Sequence, residues 1–445
     1  MGRGMHWYQE AVFYHIYTFG LCKAPFENDY AKSAKKLGEI GKWIPHIKNL
    51  GCSSVLFSPV MLSRTHGYDV TDYYKIDNRL GTNDDFRALV DKLHENGLRV
   101  VLDSVFNHCG RDFFAFRELR EGNRSYASWF SGVDFGRNSS LGDCFTYDTW
   151  SGYDELVKFN LRNPETKAYL LDAALFAIRE FGIDGMRLDS ANVLDFDFMR
   201  ELRKVTTGAK EDFWLMGEVV SGDYSRWVND GLLHSVTNYQ LFKALFSSHN
   251  DSNLYELAHT LGRGFGDGGI WNHLPLYNFV DNHDQPRLAS VVKRPEYLRT
   301  IYLMLYTLPG LPSIYYGSEW GTKGVKAKDS DQPLRPYFDI DQLTKEIPRL
   351  EGFLRKLADL RAESPALKWG AYREVSIGYM APFVFERRYG GETVTVAIHP
   401  FETSASVDLS RCGSCFRDVL NEEELSGGVV AFAPYSGRIL KQRKG

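Results

Sequence analysis

Gly182-Ile-Asp-Gly-Met-Arg-Leu-Asp189 decides the fold: it is a short apolar run that ends in charge just before the polar turn Ser190-Ala-Asn192. Read as a strand, it sends Arg187 and Asp189 out on one face, because side chains two apart share a side of the pleat. A guanidinium there would keep the carboxylate ionised, and an ionised carboxylate can act as a nucleophile. An isolated Arg-x-Asp is more often a surface ion pair, so this reading needs partners elsewhere in the chain. Leu215-Met-Gly-Glu218 and Tyr277-Asn-Phe-Val-Asp-Asn-His-Asp284 are two more apolar runs that close on acids, and Val100-Val-Leu-Asp-Ser-Val-Phe-Asn-His108 closes on polar groups. Four strand-like segments ending in acid or imidazole are the pattern of a parallel barrel whose reactive groups ring its C-terminal mouth.

Working outward, further strands are predicted at Ala11–Tyr17, Ser54–Ser58, His234–Thr237 and Pro312–Tyr316, making eight. Helical periodicity fills the gaps at Tyr30–Leu50, Asn83–Asn96, Pro164–Phe181, Asp195–Val205, Gln240–Leu261, Glu296–Leu308 and Ile347–Ala362. The expected fold is therefore α/β: a (β/α)8 TIM barrel with a short inserted domain after strand 3 and a C-terminal all-β domain. The boundaries drawn are 1–108 and 159–370 for the barrel, 109–158 for the insertion and 371–445 for a terminal β-sandwich. The insertion is rich in Gly, Ser, Asp and aromatics. Its rings Phe113, Phe114, Phe116, Trp129, Phe130 and Trp150 are expected to narrow a groove, with some of them packing the insertion's own small core.

Composition excludes several functions. With 53 basic against 57 acidic residues the net charge is −4, which suits neither nucleic acid nor an anionic membrane and fits a small neutral substrate. No run is apolar enough for a membrane span, and Met1–Glu10 lacks a signal core, so the expected location is cytoplasmic. The six cysteines form no disulfide pattern and are expected as free thiols. Cys412-Gly-Ser-Cys415 lacks the second pair that zinc needs and the βαβ context of a redox motif, so it reads as structural or incidental. Gly264, Gly266 and Gly269 spell G-x-G-x-x-G but follow no strand, so a loop is expected there rather than a dinucleotide site.

Taken in order, the four strand ends resemble the signatures of the α-amylase family of glycoside hydrolases: Asp103–His108 the first, Gly182–Asp189 the second, Gly217-Glu218 the third and Phe279–Asp284 the fourth. Phe159-Asn-Leu-Arg-Asn-Pro164 is similar to an auxiliary motif of that family. The resemblance spans the chain and implies a retaining hydrolase of α-glucosidic, mainly α-1,4, bonds in maltooligosaccharides or small cyclic glucooligosaccharides. It implies Asp189 as nucleophile, Glu218 as general acid and base, and Asp284 as transition-state stabiliser. Arg187, His108 and His283 would bind the sugar, Tyr68 would stack beneath it, and Asp331 with Arg335 in Asp-x-x-x-Arg would grip the next one. Glu218 has no cation beside it in sequence, so burial and neighbouring acids are expected to keep it protonated. Where secreted amylases carry Lys-His after the nucleophile, this chain has Ser190-Ala-Asn192, closer to the intracellular maltodextrin- and cyclomaltodextrin-hydrolysing branch. No cofactor is required on this reading. Asn107 matches a calcium ligand of the family, with Asp143, Asp148 and Asp154 as candidate companions. The same scaffold serves transglycosylases and isomerases, and a catalytically dead carbohydrate-binding barrel would have lost an acid or Arg187. The sequence sets no oligomeric state.

Overall fold

The structure, a computed structural model, describes residues 6–31, 33–328, 330–343, 345–413, 415–426 and 428–442. Eight parallel strands follow one another: β1 Phe13–Ile16, β2 Ser54–Phe57, β3 Arg99–Ser104, β4 Gly185–Leu188, β5 Trp214–Gly217, β6 Ser235–Val236, β7 Tyr277–Asn278 and β8 Leu311–Tyr315. Their order in the sheet is β6-β5-β4-β3-β2-β1-β8-β7, and a parallel bridge from Thr237 to Tyr277 joins the two edges into a barrel.

The deciding stretch shows how local chemistry builds this ring. The helix Pro164–Phe181 starts where the Asn163 side chain accepts from the backbone N–H groups of Glu165 and Thr166, with proline at its first position. It stops at Gly182, whose φ of 69° is a left-handed conformation that glycine adopts without strain. Asp184 then anchors the lower end of β4 through His94 at 2.7 Å, Arg99 at 2.8 Å and Lys210 at 2.8 Å. Gly185 must lack a side chain, since a Cβ there would lie 2.7 Å from the Trp214 carbonyl oxygen. Alternation does the rest. On β5, Trp214 and Met216 point into the barrel, where they pack with Phe13, Leu56, Val101, Tyr277 and Leu311, whereas Leu215 packs outside against the helical layer. Trp214 stacks on Phe13 with centroids 4.9 Å apart and on Tyr8 at 5.7 Å, so aromatic rings close the lower end. The polar residues one step further along each strand are left at the upper mouth.

The helix Asn83–Glu95 forms as expected: Thr82 and Asp85 make a reciprocal capping box, and Phe86, Leu89, Val90 and Leu93 supply its buried face. The segment Tyr30–Leu50 differs, because helix begins only at Leu37. Ala34 and Lys36 instead donate backbone bonds to the carbonyls of Asn78 and Leu80. The glycine-rich segment differs too. Helix Leu254–Phe265 runs through Gly262 and Gly264, and Trp271 packs so closely on Gly264 that a Cβ would meet it at 2.0 Å. Close packing explains that glycine, with no phosphate cradle.

After β3 the chain makes an antiparallel sheet from His108–Gly110, Tyr153–Lys158 and Thr149–Trp150, with a helix at Phe114–Arg120. Beyond the last barrel helices, a six-stranded antiparallel sheet and a two-stranded one enclose Val384, Ala397, Leu409, Phe416, Val430, Phe432 and Leu440. Cys412 and Cys415 lie in this region, and the six cysteines are free thiols. Among the described residues, no helix is long and apolar enough to cross a membrane.

Candidate active site

Every second residue of β3, β4 and β5 points inward, and the last inward positions are Asp103, then Arg187 and Asp189, then Glu218. Register completes the cluster, since Asp103 pairs with Arg187 across β3 and β4, and Arg187 with Met216 across β4 and β5. Arg187 is the hub. Its Nη1 lies 2.6 Å from Asp103 Oδ2 and 3.3 Å from Asp189 Oδ1, and its Nη2 lies 3.0 Å from Glu218 Oε2. The sequence reading had this guanidinium hold Asp189 ionised and left Glu218 without an adjacent cation. The second expectation fails, because one buried cation faces three acids from three strands; its shortest contact is to Asp103.

Electrostatics follow from that crowding. Burial, then the facing Glu218 carboxylate, push the Asp189 carboxyl well above the usual range against the pull of Arg187. Burial also raises Asp103, although Arg187 and Tyr68 oppose it. Asp284 goes the other way: burial alone would raise it, but His283 at 2.9 Å and Arg335 at 2.9 Å hold it well below the ordinary value. Asp189 and Glu218 therefore form a pair in which a proton on one relieves the other, beside a third acid kept ionised.

The remaining predicted residues join the same network. Tyr68 donates to Asp103 Oδ2 at 2.9 Å, and its hydroxyl lies 2.5 Å from His283 Nε2. Its ring stacks on His283, centroids 5.4 Å apart, which fixes the ring in place. Asp331 and Arg335 are paired at 3.1 Å, and the same guanidinium nitrogen reaches Asp284. A cavity of about 210 Å³ opens beside Arg335, walled by Tyr17, Phe19, Lys23, Phe26 and Tyr337. His108 stands apart from the acids. Burial lowers its pKa to about 3, its Nε2 has no partner, and its ring tilts against Trp150.

Three contributors escaped the sequence reading. Tyr239, at the start of the helix after β6, donates to Glu218 Oε1 at 3.1 Å, and no motif marks it. Ser190 bonds Asp189 and Glu218, and Trp150 bonds Ser190. Trp150 was named only as one ring of a wall, some of whose rings were expected to pack the insertion's own small core. Phe113, Phe116, Trp129 and Phe130 are buried in the insertion's own core, with Phe114 packed against Trp129, so of the six only Trp150 makes a described contact with the acid cluster.

Two of the candidate calcium ligands, Asp143 and Asp154, are already engaged. Asn107 Oδ1 is buried without a partner, which suits a ligand, but Asp143 is held by Arg111 at 2.5 Å and Arg120 at 3.2 Å, and Asp154 accepts from Ser140. Among the described residues no group of three or more His, Cys, Asp or Glu is disposed to hold a metal ion, whereas calcium takes six to eight oxygens.

Residues 24–349 match the model of the alpha-amylase catalytic domain. A cyclomaltodextrinase of Thermoanaerobacter pseudethanolicus is 31% identical over 413 residues, 89% of this chain and 69% of that protein. An intracellular maltogenic amylase of Bacillus subtilis is 29% identical over 330 residues, 73% of this chain and 54% of that one. The chain spans 62% of the length of a second cyclomaltodextrinase, from Geobacillus thermopakistaniensis. Among solved structures, the cyclic α-maltosyl-(1→6)-maltose hydrolase of Arthrobacter globiformis in complex with that cyclic sugar superposes with a TM-score of 0.84 at 27% identity, over 98% of this chain and 99% of the other.

Proposed function

We propose a function from one premise: the chain belongs to the α-amylase family of glycoside hydrolases. It cleaves α-glucosidic bonds, mainly α-1,4, in maltooligosaccharides or small cyclic glucooligosaccharides, with retention of configuration. The observation that carries this reading is the junction at Arg187 and Ser190, where two carboxyls from adjacent strands share the same two partners.

The reaction starts with the shared proton on Glu218 and Asp189 as the anion; a proton on Glu218 takes away one of the causes, after burial, that raise Asp189, while Arg187 and Ser190 contact both carboxyls. Asp189 attacks the anomeric carbon while the Glu218 proton passes to the departing glycosidic oxygen, which leaves as a hydroxyl. Glu218, now ionised, takes a proton from water, which attacks the glycosyl ester and frees Asp189. Asp284, held ionised by Arg335 and His283, stabilises the positive charge that develops on the ring in both steps. His108, neutral at working pH, offers its free Nε2 to a sugar hydroxyl, and Tyr68 with His283 walls the same ring. The cavity beside Asp331 and Arg335 receives the next sugar. No step is routed through a metal.

Residues 1–108 and 159–370 act as the catalytic barrel on this reading, with 109–158 as an inserted domain and 371–445 as a terminal β domain. The cytoplasm is the proposed location, where imported oligosaccharides are the substrates; the B. subtilis relative is described as intracellular. The test is a proton NMR time course with maltotriose and with cyclic dextrins. The new reducing end should appear first as the α-anomer, and initial β-anomer would refute double displacement.

A further inference from the structure

Ser190, like Arg187, touches both carboxyls of the reacting pair. Its backbone N–H donates to Glu218 Oε2 at 3.1 Å, and its hydroxyl lies 3.0 Å from Asp189 Oδ2. To reach both it sits at φ 48°, ψ 38°, a left-handed conformation that serine adopts only when its surroundings impose it. A third contact comes from outside the barrel strands, where Trp150 Nε1 donates to Ser190 Oγ at 2.8 Å. An indole N–H can only donate, so Oγ accepts from it and the single hydroxyl proton is free to turn toward Asp189. Trp150 is itself held in place. It ends the short strand Thr149–Trp150 of the insertion, tilts against His108 at 5.8 Å and stacks on Tyr153 at 6.1 Å.

Resting on the reading of Asp189 as nucleophile, we infer that Trp150 and Ser190 are positioning residues: the indole commits the Ser190 proton to Asp189, so the insertion orients a carboxyl that belongs to the barrel. A hydrogen bond donated to the anion favours the ionised form. The groups that face Asp189 are Arg187 on its own strand, Asp103 from β3, Glu218 from β5 and Asp284 from the loop after β7. Three of these four are acids that oppose its ionisation. The Ser190 donor therefore works with Arg187 alone among the charged neighbours, and its loss should show in the acid limb of the pH profile.

The test uses 4-nitrophenyl α-maltoside, whose leaving group needs little acid assistance, so that kcat/KM reports the attack by Asp189. Ser190→Gly removes the hydroxyl, keeps the backbone N–H on Glu218 and relieves the left-handed strain, because glycine adopts positive φ freely. Trp150→Phe keeps the ring and removes the donor. Ser190→Gly should melt no lower than the parent, yet both variants should lose about tenfold in kcat/KM, the scale of one hydrogen bond to a charged group. The loss should fall on kcat, and the acid limb should move up by about half to one pH unit. An active parent whose acid limb coincides with those of both variants, or a loss confined to KM, overturns this inference alone. A parent that cleaves neither the aryl maltoside nor maltotriose overturns instead the functional reading beneath it.

Discussion

Replacing Arg187 by Met keeps the length of the side chain and removes its charge, and the consequence can be worked from the contacts. The guanidinium is 3% exposed and lies within 3.3 Å of Asp103, Asp189 and Glu218. Three ionised acids cannot remain together in that volume without it, so the variant must take up protons to fold. Holding a carboxyl of ordinary pKa near 4 protonated at pH 7 costs about 1.36 kcal/mol per pH unit, or about 4 kcal/mol for one group. That agrees with the roughly 3–5 kcal/mol lost when one partner of a buried ion pair is removed. The sign is fixed by linkage. Between pH 4 and 7 the folded variant binds more protons than its unfolded chain, so its stability falls as pH rises. Relative to the parent, Arg187→Met should be destabilised by about 3–5 kcal/mol at pH 7, and by less at pH 5, the difference being about 2.7 kcal/mol for each proton taken up. Urea unfolding of both proteins at the two pH values, followed by tryptophan fluorescence, measures this directly. Equal destabilisation at pH 5 and pH 7 would refute the picture of one cation neutralising an acid cluster.

Asp189→Asn, Glu218→Gln and Asp284→Asn should each fold and each lose most of the turnover of maltotriose, since the three act as a unit; parent-like turnover by any of them would sink its assigned role. Asp184→Asn should destabilise by roughly 3 kcal/mol at pH 7. Its carboxyl is held below the usual range by His94, Lys210, Arg99 and the Val100 N–H despite burial, so the contribution is complete above its unfolded pKa near 4 and is lost as pH falls through the folded value. Denaturation at pH 7 and pH 3 should therefore give a smaller difference at the lower pH. Gly185→Ala puts a Cβ 2.7 Å from a backbone oxygen and should cost about 1–3 kcal/mol of stability in thermal unfolding. Cys412→Ser combined with Cys415→Ser should leave turnover and metal content unchanged, by steady-state assay and elemental analysis.

The parts legible in the sequence were those set by local period and local chemistry. The apolar run that closes on Glu218 announced an acid at the end of a buried strand, and the Pro164 start of the helix before β4 was written in its first residue. What stayed hidden depends on register between strands. Nothing in Arg187 itself says that Asp103 and Glu218 will be brought level with it, because that follows from β3, β4 and β5 sliding into one alignment. Tyr239 was hidden for the same reason: it sits in an ordinary amphipathic helix and matters only because β6 lies beside β5. Composition misled in one place: Gly262 and Gly264 looked like the start of a loop, but the helix runs on to Phe265 because Trp271 packs on the bare face at Gly264, and only the glycines after it lie in a loop.

The pairing of β1 with β8 has a consequence for how the chain is made. Ile16 leaves the ribosome 295 residues before Leu311, counted from the ends of those strands (311 − 16). At about 5–20 residues per second that interval lasts roughly 15–60 s. Throughout it β1 can pair with β2 on one side, while its other edge shows unpaired backbone donors and acceptors. The nascent barrel is thus open to wrong partners at β1, and a chain cut short before Leu311 keeps that edge uncovered.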